Sequence, residues 1–193
     1  MKYSLSFTAG ALLIEESRVA AQILIESTDA TEARRRLLEQ RLIPARTDSA
    51  AKRIVLEVLS RLAFIPEAGL NLVAYGTMEE ARQVLWISCC RKYPVIRTFA
   101  ETILIDASRT PGMVIDSRVV EVFFLNEEMS NSQLAAVSVS TKYKLRQVLK
   151  LMLAQAGLIN DNGVLVRGLV QPKVADWLER TPEDRVLLGG LRA

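Results

Sequence analysis

Residues 141–157 read TKYKLRQVLKLMLAQAG, and this stretch decides the fold class. Leu145, Val148, Leu149, Met152 and Leu153 recur at i, i+3, i+4, i+7 and i+8. That period lays them along one stripe of an α-helix and leaves the lysines and the arginine on other faces. Gly157 stands where such a helix would stop, because a helix commonly ends on a residue in the left-handed region. The spacing predicts a helix from Thr141 to Ala156.

The same period recurs towards the N-terminus. Leu12, Leu13, Val19, Ala20, Ile23 and Leu24 predict a helix over residues 12–26. Asp29 with Glu32 has the spacing of a capping box and opens a short helix through Glu39. Pro44 interrupts the chain, and Thr47, Asp48 or Ser49 can cap a helix whose apolar stripe is Ala51, Ile54, Val55, Val58, Leu59 and Leu62. The opposite face of that helix carries Lys52, Arg53, Glu57 and Arg61 and is expected to be solvated.

Pro66 starts another short helix that Gly76 ends. Thr77-Met78-Glu79-Glu80 is a second capping box and leads a helix through Trp86 to Tyr93. Pro94 breaks it, and a further helix runs to about Ser108 before the loop Thr110-Pro111-Gly112. For Asp116–Glu128, Val119, Val120, Val122, Phe123 and Phe124 favour strand, yet helix is the preferred reading. Asp161-Asn162-Gly163 reads as a tight turn within a small β-hairpin near residues 158–167, a candidate wing. A last short helix is expected over Lys173–Arg180. The expected architecture is all-α, a compact multi-helix fold with helix–turn–helix elements. Three segments are expected, 1–65, 66–130 and 131–193, able to pack as one domain.

Composition narrows function by exclusion. The chain has 193 residues, half of them apolar and 24% charged, which suits a globular protein. It has no histidine, so imidazole acid–base chemistry, histidine-assisted nucleophiles and histidine metal ligands are all absent. The only cysteines, Cys89 and Cys90, are adjacent and make neither a C-x-x-C redox pair nor a zinc knuckle. They read as small buried side chains of a protein in a reducing cytoplasm. No phosphate-cradling glycine loop is present. The run YSLSFTAGALLI is short and is followed at once by Glu15 and Glu16, unlike a signal peptide, and no charge-free apolar stretch is long enough to span a bilayer. The chain is expected not to be an enzyme, to use no cofactor or metal, and to have no membrane partner.

Charge is unevenly placed. Arg34–Arg61 holds eight basic residues against Glu39, Asp48 and Glu57, and Met129–Asn160 holds four basic residues and no acid. Between them, Pro66–Glu128 carries six basic and nine acidic residues. Two basic patches of this kind are the electrostatic footprint of a polyanion. In the first, the turn Ile43-Pro44-Ala45-Arg46 leads into a helix that exposes Thr47, Asp48, Ser49, Lys52 and Arg53 on its first turns, with Arg34, Arg35 and Arg36 on the helix before. A recognition helix needs this arrangement, with free N–H groups and a dipole that favour phosphate. In the second, Lys142, Arg146 and Lys150 share one face, and Lys144 points elsewhere. Ordinary solvated faces mix both signs, so the missing acids favour a nucleic-acid surface there. Trp86 reads as core rather than as a stacking platform.

Four segments resemble the BrxA family: YSLSFTAGALLIEES at 3–17, ARTDSAAKR at 45–53, LWISCCRKYPVIRTFA at 85–100 and TKYKLRQVLKLMLAQAGLI at 141–159. They stand in the right order and span most of the chain outside residues 110–134. The resemblance implies an all-helical, non-enzymatic component of the BREX phage-defence system that binds DNA through helix–turn–helix elements. It also implies a likeness to NusB, an RNA-binding antitermination factor.

Three readings follow. The leading one is double-stranded DNA binding, mainly through phosphates, with contacts from Arg34, Arg35, Arg46, Thr47, Ser49, Lys52, Arg53, Lys142, Lys144, Arg146 and Lys150. These contacts come from charge and helix phase and are not inherited from the family. RNA binding ranks lower, because single-stranded RNA recruits exposed aromatics and most of the eleven here sit on apolar stripes. The third reading is an adaptor that joins other BREX proteins without touching nucleic acid.

Overall fold

The computed structural model describes residues 5–166 and 169–189. Among these residues the chain forms eleven α-helices and only isolated β-bridges. In order they are α1 (Ile14–Glu26), α2 (Ala30–Glu39), α3 (Asp48–Leu62), α4 (Glu67–Tyr75), α5 (Met78–Lys92), α6 (Pro94–Phe99), α7 (Ile105–Arg109), α8 (Ser117–Ser130), α9 (Ser132–Ala135), α10 (Val139–Gln155) and α11 (Pro172–Trp177). A π-helical turn, Ala100–Leu104, joins α6 to α7, and 3₁₀ segments occupy Ser6–Ala9, Leu178–Arg180 and Pro182–Leu188. The all-α reading holds.

Local chemistry sets most of the boundaries. Thr77 accepts from the Glu80 N–H while the Glu80 carboxylate accepts from the Thr77 N–H, a full capping box at the start of α5. At α2, Asp29 caps the N–H groups of Thr31 and Glu32, but the Glu32 carboxylate reaches one residue further back, to Thr28. Thr47 caps α3 through the Ala50 N–H at 3.1 Å. At the end of α10, Gly157 takes φ +70°, its N–H bonds the Ala154 carbonyl and that of Leu158 bonds Leu153, the two bonds of a Schellman ending.

The first helix starts later than its apolar period suggests. Leu13 adopts a left-handed conformation, so α1 begins only at Ile14. The stretch with strand-favouring residues is helical: Asp116 caps α8, and Phe123 packs edge-on against Phe99 at 5.0 Å. Packing of aromatic rings overrides a local preference worth a few tenths of a kcal/mol per residue, roughly.

α5 is the central element. Ten of its side chains, Glu80–Ala81 and Gln83–Cys90, are buried, because α3, α4, α6, α11 and Pro182–Leu188 surround it. α1 lies across α4 and α3, α2 closes over α1 and α3, and α10 packs on α8 and on Ser6–Ala9. One cluster of buried apolar side chains runs from Phe7 to Leu188. Trp86 is fully buried and donates its indole N–H to the Leu187 carbonyl at 2.7 Å, so it is core. Gly69 lets α4 approach α11 closely, since a Cβ there would meet the Trp177 ring at 3.1 Å.

One sequence expectation fails at the C-terminal half of α3. The helical period puts Glu57 and Arg61 on the solvated face, and the structure buries them instead. The segment Ser6–Leu13 crosses this part of the helix, and Tyr93 and Lys92 arrive from the end of α5. Arg61 donates its Nε to Glu57 at 2.7 Å and its terminal nitrogens to the Gly10 and Ala11 carbonyls. Glu57 also accepts from Ser6, Tyr93 and Lys92. A second ionic clamp holds the C-terminal segment: Asp184 accepts from Arg91 at 2.8 Å and Arg97 at 3.0 Å.

The expected hairpin extends to residue 167, which lies outside the described residues. Up to Val166 the turn is present: Asn160 and Val164 pair, Val166 donates to Leu158, and Gly163 sits at φ +75°. Ile115 donates to the Gly163 carbonyl, so the hairpin is tied to the segment before α8.

Candidate nucleic-acid interface

The basic residues near the N-terminus gather around the α2–α3 junction. Eight residues, Gln40–Thr47, join the two helices, longer than the three or four residues of a compact helix–turn–helix. Its second residue, Arg41, takes a left-handed φ of +50° just past the end of α2, a conformation that ordinarily selects glycine. The loop then opens a cleft of about 570 Å³ between the C-terminal end of α2 and the first turns of α3. Arg41, Arg46, Thr47 and Lys52 line it together with Ile43, Pro44 and Val55.

The cations here divide by whether they already have a partner. Arg35 pairs with Glu39 at 2.6 Å, and Arg36 with Glu26 at 2.9 Å. Arg41 lies 3.9 Å from Asp48 with both side chains more than 80% exposed, a contact that solvent screens almost entirely. Arg34, Arg46, Lys52 and Arg53 are exposed and have no ion pair or hydrogen bond from their side chains among the described residues. Ser49 is exposed on the first turn of α3, while the Thr47 hydroxyl is engaged as the cap. Of the residues singled out from sequence, the structure brings Arg46, Thr47 and Lys52 into the cleft. Arg34, Arg35, Ser49 and Arg53 lie on the surfaces beside it. Arg41, which also lines the cleft, was not among them; the sequence feature that marks it is an arginine at the position where α2 ends in a left-handed residue.

The second patch is arranged differently. Lys142, Arg146 and Lys150 do share one face of α10, but that face turns to α8. Lys142 pairs with Glu128 at 2.8 Å, Arg146 pairs with Glu121, and Lys150 lies 3.5 Å from the Ser117 hydroxyl. The acids absent from residues 129–160 are supplied by a neighbouring helix, so the argument from missing acids does not survive. Lys144 is exposed elsewhere on α10.

Cys89 and Cys90 are fully buried, and burial pushes both thiols above their usual range, which leaves them unreactive. Among the described residues, no group of three or more cysteines, aspartates or glutamates is placed to hold a metal ion, and no helix is long and apolar enough to cross a membrane.

The sequence profile of the BrxA family matches residues 1–181. This chain belongs to the BrxA family. It is therefore a BrxA-family protein of the BREX phage-defence system. Relatives carrying the name BREX protein BrxA include one from Escherichia coli strain HS, 24% identical over 151 residues, covering 78% of this chain and 71% of the relative. Another, from Bacillus cereus, is 20% identical over 159 residues, covering 82% and 80%. The crystal structure of an uncharacterized protein from Magnetospirillum magneticum superposes over 100% of this chain and 99% of that one, with a TM-score of 0.84 and 18% identity. That likeness shows the BrxA-family chain to share its fold. The four BrxA-like segments hold the capped start of α3, the buried α5 and the stripe of α10.

Proposed function

We propose that this BrxA-family protein is a non-enzymatic component of BREX that binds double-stranded DNA, mainly through phosphates, at the α2–α3 surface. The observation that carries this reading is the set of unpartnered cations there: Arg34, Arg46, Lys52 and Arg53, with Arg41 held only by a screened contact. A cation without an internal partner loses no ion pair when a phosphate replaces its counterions, and releasing those counterions drives association. The free N–H groups at the start of α3 point the same way, since a helix N-terminus favours phosphate. In this reading the longer connection makes the pair a widened helix–turn–helix, with α3 as its second helix.

The α10 cations rank second. Lys142 and Arg146 must give up Glu128 and Glu121 before they meet a phosphate, and only Lys144 and Lys150 can contribute without breaking an ion pair. The other BREX proteins are the expected protein partners, and the cytoplasm is the expected compartment. A duplex is favoured over single-stranded RNA because Phe64, Tyr75 and Tyr143 are the only exposed aromatics among the described residues, and none lines the cleft.

The test is fluorescence anisotropy with a random-sequence duplex over a salt series, with RNA of matched length as competitor. Log affinity should fall linearly with log salt, and RNA should compete poorly. Absence of binding at low salt would overturn the reading.

A further inference from the structure

The chain has two tryptophans, and their indole N–H groups fare differently. Trp86 gives its proton to the Leu187 carbonyl. Trp177, on α11, is only 8% exposed, yet its indole N–H has no acceptor among the described residues. A buried indole N–H ordinarily finds a partner. The Trp177 nitrogen is not sealed in the interior either, and its ring lines a pocket of about 420 Å³ between α4, α11 and the 3₁₀ turn that follows. The donor therefore opens onto that pocket. The ring is held in place, because the Arg91 guanidinium lies over it at 5.0 Å and Gly69 of α4 packs against it so closely that a Cβ would come within 3.1 Å.

What surrounds the indole is mostly donor. Lys173, Asp176 and Trp177 stand at i, i+3 and i+4 on α11, with Arg180 at i+7 just after it, so one side of the pocket carries all four. Lys173 and Arg180 are exposed and have no ion pair or hydrogen bond from their side chains among the described residues. The Thr181 hydroxyl accepts from Arg91 at 2.9 Å and keeps its own proton to give. Asp176 is the one carboxylate in the lining. The opposite wall, Pro66, Ala68 and Leu72, is apolar. A few convergent polar groups facing an apolar wall make up a small-molecule site, and such sites hold about 300–1,000 Å³.

The free donors call for an acceptor, and the charges decide which kind. Arg91 shares Asp184 with Arg97, and Arg97 also holds Glu101, so these four groups balance. Lys173 and Arg180 against Asp176 leave one positive charge in the lining. A carboxylate matches that charge, whereas a phosphate monoester brings about −1.5 to −2. We infer that this pocket binds a small organic acid. Its carboxylate accepts from the Trp177 indole, Lys173 and Arg180, and its apolar body lies against Pro66, Ala68 and Leu72. The fixed ring and the donors already in place lower the ordering cost of binding. No residue that lines this pocket also lines the α2–α3 cleft, so acid and DNA can be held independently.

The test is a nuclear magnetic resonance titration of the full chain, labelled with nitrogen-15, with 4-phenylbutyrate and with its neutral amide. The two tryptophans give two indole N–H signals, and that of Trp177 is recognised by its faster exchange with water. 4-Phenylbutyrate should shift the Trp177 signal saturably, leave the Trp86 signal in place, and bind at least tenfold more tightly than the amide. The double variant Lys173→Gln, Arg180→Gln should weaken that binding at least tenfold. Both side chains are exposed and unpaired, so thermal unfolding should hardly change, and DNA affinity should stay as in the parent, which separates this test from that of DNA binding. No saturable shift, equal affinity for acid and amide, or indifference to the double variant would overturn the inference. So would tighter binding of 3-phenylpropyl phosphate, which would assign the pocket to a phosphate.

Discussion

Arg61 decides what the N-terminal segment does. Its guanidinium is fully buried and directs its donors to Glu57 and to the carbonyls of Gly10 and Ala11. Removing one member of a buried pair strands the other, at about 3–5 kcal/mol. Arg61→Leu is expected to lower stability by that amount in urea titration and to release the segment Ser6–Leu13 to hydrogen exchange. Glu57 also makes the fold acid-sensitive. Burial would raise its pKa, but Arg61, the Tyr93 hydroxyl and Lys92 outweigh burial and hold it below the usual 4.5. A depressed carboxylate contributes stability that is fully present above its unfolded pKa and is lost as pH falls through the folded one. Urea midpoints should therefore drop below about pH 4.5, and Glu57→Gln, already less stable, should show a flatter slope there.

Arg41 poses the opposite case, a residue kept where the backbone disfavours it. Its left-handed conformation costs an L-residue about 1–2 kcal/mol, part of which glycine recovers. Arg41→Gly is expected to raise stability by about 0.5–1 kcal/mol and to weaken DNA binding. A variant that is less stable, or that binds DNA undiminished, would show that the arginine is not held there for binding.

Among the elements, α3 and α10 present the sharpest contrast. They carry similar cations, yet α3 exposes Lys52 and Arg53 without partners while α10 faces Lys142 and Arg146 to carboxylates on α8. Replacing Arg46, Lys52 and Arg53 with alanine should reduce the salt slope by about one for each phosphate that is no longer neutralised. The corresponding change at Lys142, Arg146 and Lys150 should move the slope less, and should cost stability instead by leaving Glu121 and Glu128 unpaired. An equal reduction of slope at both helices would refute the ranking of the two patches.

At the scale of the whole molecule, the chain is closed by ionic clamps at both ends around α5. Asp184 joins Arg91 and Arg97 to the C-terminal segment, and Arg91 also lies over the Trp177 ring at 5.0 Å. Asp184→Asn is expected to lower the thermal midpoint by several degrees and to raise hydrogen exchange selectively over residues 182–188, because two cations lose their shared acceptor.

What the sequence determined by itself was local. Helix period, capping boxes and punctuation by glycine and proline name nearly every helix from α1 to α11, since each depends on residues within one or two turns. The lack of histidine and the spacing of the cysteines were equally legible, as was the family. Tertiary structure decided which charges remain available. Glu57 and Arg61 sit on the polar side of α3 by period, and only the crossing of Ser6–Leu13 buries them. The face of α10 lacks acids in its own sequence, and only α8 supplies them. Ion pairing and burial depend on residues 25 or 50 positions away, and a helical period carries no information over that range.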